Sequence, residues 1–361
     1  MTENLIDLKR LRAEELEALA LSLGESAYRG RQLFDWLFRQ GATSFEQMGN
    51  LPIAFRESLR RQSWIRTISL TTRQASRDRT EKSVYVLPSG KAFETVIIPD
   101  FADGGTSSNE PARRVTVCVS SQVGCAMACS FCATGRMGFI ENLSASDIYD
   151  QVFHANARSL ELFGREVSNV VFMGMGEPLL NFDEVLRSVE LLTSPRLLNL
   201  SSRRITISTV GIAGRIRDLA DSKVQANLAV SLHAPTDPKR SSIMPVNRKR
   251  RTDLSALREA LEYYAQHSER LVTYEYCMFA GFNDSIDDAI NLAEVARWVP
   301  SKVNLIMYNE VPGLDFRRTT ESTLNAFVRA LVDSGVTVTV RRSRGQDIAA
   351  ACGQLAGPQG N

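Results

Sequence analysis

The stretch CVSSQVGCAMACSFCATGRMGF occupies residues 118–139 and holds four of the six cysteines of a 361-residue chain. Three of them, Cys125, Cys129 and Cys132, form a C-x3-C-x2-C motif in the loop after the predicted strand VTVCVS. Three thiolates from one short loop can bind an iron–sulfur cluster or another metal. A four-iron cluster takes four ligands, so this loop would leave one iron open to a non-protein ligand. Zinc with a histidine as the fourth ligand is the alternative.

Apolar strands alternate with amphipathic helices on both sides of this loop. The strand-like runs after VTVCVS are VSNVVFMG, RRITIST, ANLAVSLH, VTYEYCMF, VNLIMYN and VTVTVRR, and helical periodicity separates them near 145–159, 183–197, 212–222, 253–266, 285–297 and 320–334. Such βα units predict a parallel sheet with helical crossovers. We expect an α/β fold, a partial (βα)6 barrel of the TIM type, with a doubly wound open sheet as the alternative. Either fold places its chemistry at the carboxyl ends of the strands.

The chain before the barrel has a different pattern. RAEELEALALSLG and AYRGRQLFDWLFRQ show helical spacing of apolar residues, and the runs RTISLTT, SVYVLP and FETVIIP then resemble short strands. We therefore divide the chain into a helical accessory domain (1–65), a short β segment or linker (66–100), the barrel (101–343) and a C-terminal segment (344–361).

Composition limits the class of protein. Hydrophobic residues make up 43% of the chain and charged residues 23%, which is typical of globular proteins. No run of eighteen apolar residues and no secretory signal is present, so we expect a cytoplasmic protein without a membrane partner.

The span from Arg203 to Arg251 holds eleven Lys or Arg against three Asp or Glu. This local excess predicts contact with a polyanion, through residues 239–251 and through Arg341, Arg342 and Arg344.

A second motif, GMGEPLLN at 174–181, follows the second predicted barrel strand. Glycines allow a backbone to approach a ligand closely, and Glu177 could hold an ammonium group. Taken alone, the motif could also be a tight turn between a strand and a helix.

Motifs over most of the barrel carry a family resemblance. The segments CVSSQVGC, GMGEPLLN, ITISTVG, VSLHAP, NLIMYN and RGQDIAAACGQLAG occur in this order. The cysteine motif resembles that of the radical S-adenosylmethionine (SAM) superfamily, and the whole set resembles the RlmN/Cfr family of adenine methyltransferases. The resemblance implies a [4Fe-4S] cluster on Cys125, Cys129 and Cys132. It also implies S-adenosyl-L-methionine as the second cofactor, cleaved to a 5′-deoxyadenosyl radical.

The resemblance further implies methylation of C2 of an adenosine in 23S rRNA, and of the adenosine 3′ of the anticodon in tRNA, with two SAM consumed. Cys352 would carry the methyl group as S-methylcysteine, and Glu94 would accept the ring proton. Cys118 would resolve the protein–RNA adduct by a transient disulfide with Cys352. The positions that match SAM contacts in the family are Gly176, Glu177, Ser208, Ser231, Leu232, His233 and Asn309. Cys277 is expected to be a buried small residue.

Three alternatives stay open. The first is C8 methylation of the same rRNA adenosine, as in the Cfr type, which shares the cluster, Cys118 and Cys352; Pro178 resembles the C2 branch. The second is a zinc-bound RNA-binding protein without catalysis. The third is a radical SAM enzyme acting on a small molecule, against which the AACGQLAG segment argues. The expected partners are rRNA and tRNA, an external electron donor of the flavodoxin type and a thiol reductant, with no stable protein partner.

Overall fold

Ten strands hydrogen-bond into one sheet in the computed structural model, which describes residues 5–101, 112–222, 224–249 and 252–356. The fourteen strands of these residues are β1 (Ile6–Asp7), β2 (Ser63–Trp64), β3 (Ser69–Ala75), β4 (Glu81–Val86), β5 (Ala92–Asp100), β6 (Arg114–Cys118), β7 (Gln122–Gly124), β8 (Phe139–Asn142), β9 (Asn169–Phe172), β10 (Ile205–Thr209), β11 (Asn227–Ser231), β12 (Val272–Met278), β13 (Ser301–Met307) and β14 (Val338–Arg341). The large sheet has the order β14-β13-β12-β11-β10-β9-β6-β5-β4-β3.

The strands from β6 to β14 of this sheet pair in parallel, in the order of the sequence. The helices of the described residues are α1 (Ala13–Ser22), α2 (Ala27–Phe34), α3 (Ile53–Gln62), α4 (Ala133–Met137), α5 (Ala145–Phe163), α6 (Phe182–Thr193), α7 (Ala213–Asp221), α8 (Asp237–Ile243), α9 (Val246–Lys249), α10 (Leu254–His267), α11 (Ile286–Ala296) and α12 (Glu321–Asp333). Six of them, α5, α6, α7, α10, α11 and α12, are the predicted crossovers. The predicted partial (βα)6 barrel is confirmed.

Capping residues set where several crossover helices begin. The hydroxyls of Ser144 and Ser285 each accept a hydrogen bond from the backbone N–H three residues later, at Asp147 and Asp288, and each aspartate carboxylate accepts one from the serine N–H. These reciprocal bonds satisfy two backbone donors that a helix start leaves free. The capped starts place each helix directly after its loop at the barrel's carboxyl end.

The segment before the barrel extends the sheet. Strands β3, β4 and β5 are antiparallel, and β5 pairs with β6 from Val96–Cys118 to Asp100–Arg114. The predicted strands of residues 66–100 are therefore hydrogen-bonded directly to the barrel. The helices before them pack on the barrel helix α5, where Lys9 Nζ lies 2.6 Å from Asp150 Oδ1 with both side chains buried.

The two faces of the barrel strands differ in burial. Residues that face the outer helices, such as Val117, Val170 and Ile207, are completely buried. Their neighbours along the strands face the interior of the barrel, here called the lumen, and many of these are polar and partly exposed: Thr116, Asn169, Thr206, Thr273, Lys302 and Asn304. The hydrophobic core therefore lies between sheet and helices, and not in the lumen.

The C-terminal segment, which the structure describes as far as residue 356, bridges the two ends of the sheet. Its Gly345 N–H donates to Asp78 Oδ2 in the turn between β3 and β4, and its Asp347 accepts from Ser76 Oγ. Past Asp347 it reaches the cysteine loop, where Ala133 N–H donates to Gly353 O over 2.8 Å. These contacts hold Cys352 at the barrel mouth.

None of the described helices has the length and apolar composition needed to cross a membrane.

Candidate active site

The cysteine motif lies in a loop at the carboxyl end of β6. Cys125 directly follows β7, and Cys132 is the residue before α4. Met127 and Phe131, between the cysteines, pack with Phe279 and Met244 in a small apolar cluster that also contains Cys129. The loop is thus fixed by burial of its apolar residues, and its three thiols are turned toward one cavity, here called the upper cavity.

The three thiols fit a cationic cofactor. Burial raises the pKa of Cys125 to about 12 and that of Cys129 well above its usual value, and the neighbouring thiols raise both further. The pKa of Cys132 is also raised by burial, against hydrogen bonds from the N–H groups of Gly135 and Thr134. Buried thiolates of this kind need positive charge beside them, which iron supplies.

The spacing of the thiols bears on the kind of cofactor. Within the described parts of the chain, no three His, Cys, Asp or Glu side chains converge closely enough to hold a single metal ion. In a four-iron cluster each cysteine binds a different iron, so its ligands need only surround one shared space. Cys125, Cys129 and Cys132 surround such a space in the upper cavity.

The GMGEP loop forms the opposite wall of the upper cavity. Gly176 has φ of 100°, and a Cβ there would lie 2.6 Å from the Gln122 side chain, so only glycine fits. Glu177 is 2% exposed, and its carboxylate oxygens accept from the N–H groups of Leu179 and Val210. A carboxylate oxygen has two acceptor positions, so a ligand ammonium group could also bind at Glu177.

The next strand ends line the same cavity. Ser208 Oγ and Ser231 Oγ lie 3.5 Å apart across β10 and β11. His233 has φ of 55°, and its Nδ1 accepts from Cys277 N–H over 3.0 Å. Burial and the Arg240 charge lower its pKa to about 3, so the ring is neutral. Leu232 differs from the other predicted contacts, because its side chain is fully buried in the main core.

Asn309 is hydrogen-bonded to the C-terminal segment. Its Nδ2 donates to Cys352 O over 3.3 Å, and its Oδ1 accepts from Gln346 Nε2 over 2.7 Å. The structure therefore brings Asn309 to Cys352, beside the predicted SAM site. Cys277 is 8% exposed, as expected of a buried small residue, and lines the upper cavity.

Cys352 lies where two cavities meet. It lines the upper cavity with the cluster cysteines, and it also lines the lumen, of about 690 Å³, with Cys118 and Arg341. Cys118 is 6% exposed at the end of β6, and burial raises its pKa to about 12, against the charge of Arg341. All six cysteines, each within the described ranges, are free thiols. A standing disulfide between Cys118 and Cys352 is therefore not a feature of this structure.

Glu94 makes two contacts that the sequence did not predict. It lies on β5, opposite Val84, and is 3% exposed. Its Oε2 accepts from Ala356 N–H over 3.1 Å, and its Oε1 lies 3.1 Å from Lys82 Nζ. Lys82 also donates to Ala349 O over 3.4 Å. Prediction from the sequence missed Lys82. It is the second residue of β4, which pairs with the strand of Glu94, and this neighbourhood could have suggested the pair.

Two arginines that were expected to contact phosphate, Arg240 and Arg341, lie inside the fold. Arg240, in the basic run, is fully buried and donates to Asn247, Val210 O and Thr252 O, so it cannot reach RNA. Arg341 faces the lumen beside Cys118 and Cys352, while Arg342 is exposed. Lys239 is paired with Asp288 over 2.7 Å. Residues 250 and 251 of the basic run lie outside the described residues.

Comparison with known proteins identifies the family. The Radical SAM superfamily model matches residues 119–293, and the ribosomal RNA large subunit methyltransferase N-terminal domain matches residues 4–65. Superfamily membership gives the chain a [4Fe-4S] cluster and SAM as cofactors and favours the cluster over the zinc alternative.

The relatives agree over nearly the full length. A probable dual-specificity RNA methyltransferase RlmN of Salinibacter ruber is 56% identical, over 98% of this chain and 95% of its own. A dual-specificity RNA methyltransferase RlmN of Geotalea uraniireducens is 42% identical, over 98% and 97%. The crystal structure of a radical SAM methyltransferase from Sphaerobacter thermophilus superposes with a TM-score of 0.88 at 40% identity, covering 97% of this chain and 99% of that one. The chain therefore belongs to the RlmN family of dual-specificity RNA methyltransferases, within the radical SAM superfamily.

Proposed function

We propose that this RNA methyltransferase transfers a methyl group to C2 of one adenosine in 23S rRNA, at the peptidyl-transferase centre, and of the adenosine 3′ of the anticodon in tRNA. The observation that carries this proposal is the position of Cys352 at the junction of the upper cavity and the lumen. A methyl-carrying sulfur needs the methyl source on one side and the acceptor base on the other. Cys118 on the lumen side is then where an adduct would be resolved.

The upper cavity provides the cofactor site. Cys125, Cys129 and Cys132 would hold the cluster, and Gly176, Glu177, Ser208, Ser231 and His233 would line the SAM site. When bound, these cofactors supply a methyl group and a 5′-deoxyadenosyl radical. For Leu232 the buried side chain leaves only its backbone for such a contact. Asn309 would contribute by holding the Cys352 backbone.

The lumen side provides the RNA chemistry. Cys352, as a thiolate, would accept the methyl group and later present its carbon to the adenine. Glu94 would take the proton from the ring carbon, and Cys118 would attack the Cys352 sulfur to free the methylated base. Because the Glu94 carboxylate binds Ala356 N–H, its movement toward the base would be linked to movement of the C-terminal segment. The target base must leave its stack to reach this depth.

The remaining parts have supporting roles. We propose residues 1–65 as an RNA-binding accessory domain, residues 66–100 as its connection to the barrel at 101–343, and residues 344–361 as the segment that carries the methyl group. The exposed Arg342 and the partly exposed Arg344 would contact phosphate. The enzyme would work in the cytoplasm with its RNA substrates, a flavodoxin-type electron donor and a thiol reductant.

One experiment tests the reaction and the target atom together. The iron-reconstituted protein is incubated without oxygen with SAM, a reductant and unmodified 23S rRNA, and the digested RNA is examined by mass spectrometry. We expect 2-methyladenosine, and the same product from tRNA. The product 8-methyladenosine would move the chain to the C8 reaction, and neither product with SAM still being cleaved would contradict the RNA substrate. Cys352→Ala is the matched inactive control.

A further inference from the structure

The lumen is unlike the interior of a filled barrel. In TIM barrels, branched apolar side chains pack the interior in layers. Here Thr116, Asn169, Thr206, Thr273 and Asn304 face it instead, around a space of about 690 Å³. That volume falls in the ~300–1,000 Å³ range of small-molecule sites. The polar side chains and the open space show that the lumen is accessible to water-soluble molecules as far as Cys118 and Cys352.

The charges of the lumen favour anions. Five basic residues line it, Arg114, Lys302, Arg341, Arg342 and Arg344, against the two acids Asp100 and Glu275. Asp100 lies 3.4 Å from Arg114, which neutralises both charges at the outer end. Glu275 is 5% exposed, accepts from Asn304 Nδ2 and has its pKa raised by burial. No carboxylate within the described ranges lies at ion-pair distance from Lys302 or Arg342.

The position of the sulfurs limits the size of a reductant. Cys118 is 6% exposed at the inner end of the lumen, behind the ring of strand residues. The active-site thiol of a folded oxidoreductase would have to enter the barrel to reach it. A small thiol can diffuse along the lumen. Cys352 is half-buried, whereas Cys118 is buried, and it lines the same lumen, so it is the cysteine of the pair that a thiol in the lumen can attack.

We propose that the lumen is the entry site for a small anionic thiol, which reduces the Cys118–Cys352 disulfide after each turnover. The inference rests on the proposed function, because it requires that disulfide. The thiolate attacks Cys352 Sγ, the bond between the two cysteine sulfurs breaks, and Cys118 leaves as a thiolate facing Arg341. A second thiol attacks the mixed disulfide, so two thiols are oxidised to one external disulfide and both cysteines regain a proton from solvent.

RNA and the thiol would use the same lumen in turn. Both are anionic, and the target base must meet Cys352 on the Cys118 side. Reduction is then possible only after the methylated RNA has left, which orders the two events without a separate gate. Excess methylated RNA should therefore slow reduction.

The test compares thiols that differ in charge. Enzyme is taken through one turnover without thiol, freed of small molecules, and treated with 2-mercaptoethanesulfonate, 2-mercaptoethanol or cysteamine at equal thiolate concentration. The reaction is stopped with an alkylating agent, and the free Cys118 and Cys352 peptides are counted by mass spectrometry. We expect the sulfonate to react about tenfold faster than cysteamine at low salt, with the difference shrinking at high salt.

Variants locate the effect. Lys302→Glu should abolish the preference for the sulfonate, whereas Arg329→Glu, an exposed charge on the outer helix α12, should preserve it. If a lumen variant does not fold, the salt series on the unchanged protein decides. Equal rates for all three thiols, or faster reduction by a protein dithiol, would overturn the inference while leaving the proposed function intact. Release of methylated RNA without any Cys118–Cys352 disulfide would overturn both this inference and the resolving role.

Discussion

The carboxylate of Glu94 accepts a hydrogen bond from the backbone N–H of Ala356 over 3.1 Å, although 262 residues separate the two. Ala356 lies four residues after Cys352, so the predicted proton acceptor and the predicted methyl carrier are mechanically joined. Lys82 completes the contact, with Nζ 3.1 Å from Glu94 and 3.4 Å from Ala349 O.

Glu94→Gln separates the chemical role from the structural one. Glutamine keeps an oxygen for Ala356 N–H but cannot take a proton. We expect Cys352 to be methylated normally and the RNA adduct to accumulate, with turnover falling about 10²- to 10⁴-fold. Hydrogen exchange of residues 349–356 should be unchanged in Glu94→Gln and faster in Glu94→Ala. Release of methylated RNA by Glu94→Gln at an ordinary rate would show that another group removes the proton.

Cys125→Ala tests the cluster site. With one thiolate lost, we expect iron and sulfide to fall to background in anaerobically reconstituted protein, together with the brown chromophore. Cys277→Ala is the matched control, because Cys277 lines the same cavity without being a predicted ligand. A Cys125→Ala protein that retains its full iron content would refute the ligand assignment.

Cys118→Ala should stop the cycle at the release of the RNA adduct. Cys352 stays free to receive the methyl group, so the protein should still attach to RNA but fail to release it, visible as a shifted band in denaturing electrophoresis. Cys352→Ala should form no such band. Free, methylated RNA from Cys118→Ala would exclude Cys118 as the resolving thiol.

His233 should make the fold sensitive to acid. Its pKa is lowered to about 3 in the folded state, against about 6.5 when unfolded, so the unfolded chain binds the extra proton first. Stability is then lost as the pH falls below about 6.5 and continues to fall until about pH 3. Between pH 7 and pH 5 the loss amounts to about 2 kcal/mol.

His233→Asn should remove most of that dependence. Asparagine tolerates the positive φ and can accept the hydrogen bond from Cys277 N–H. Urea unfolding at pH 7 and pH 5 gives the comparison, with the exposed His267→Asn as control. An unchanged pH dependence in His233→Asn would mean that other groups dominate acid unfolding.

The barrel could be predicted from the sequence because its signals are local. Each crossover helix shows its own periodicity, and Ser144 and Ser285 mark two of the helix starts within three residues of their partners. The cysteine loop was equally visible, because the three predicted ligands lie within eight consecutive residues. Such features need no knowledge of distant pairing.

Contacts between residues that are far apart in the sequence could not be predicted. The runs of residues 66–100 were visible as strands, but only the register between Val96 and Cys118 shows that they continue the barrel sheet. In NVVFMG, Val171 and Met173 are as apolar as the residues between them, yet both line the lumen and are partly exposed. Arg240 looked like a surface charge, because nothing in the sequence shows that the chain folds back to bring Val210, Asn247 and Thr252 around its guanidinium group.

The C-terminal segment differs from every strand around it in how it is held. Side-chain bonds from Ser76, Asp78, Lys82, Glu94 and Asn309, and few backbone ones, hold the segment that bears Cys352, the proposed methyl carrier. Each such bond is worth about 0.5–1.5 kcal/mol, so the segment can be released one bond at a time while the sheet keeps its backbone hydrogen bonds. The turn between β3 and β4 therefore restrains the proposed methyl carrier from a distance, and loosening that turn should change the timing of the cycle without touching a reacting atom.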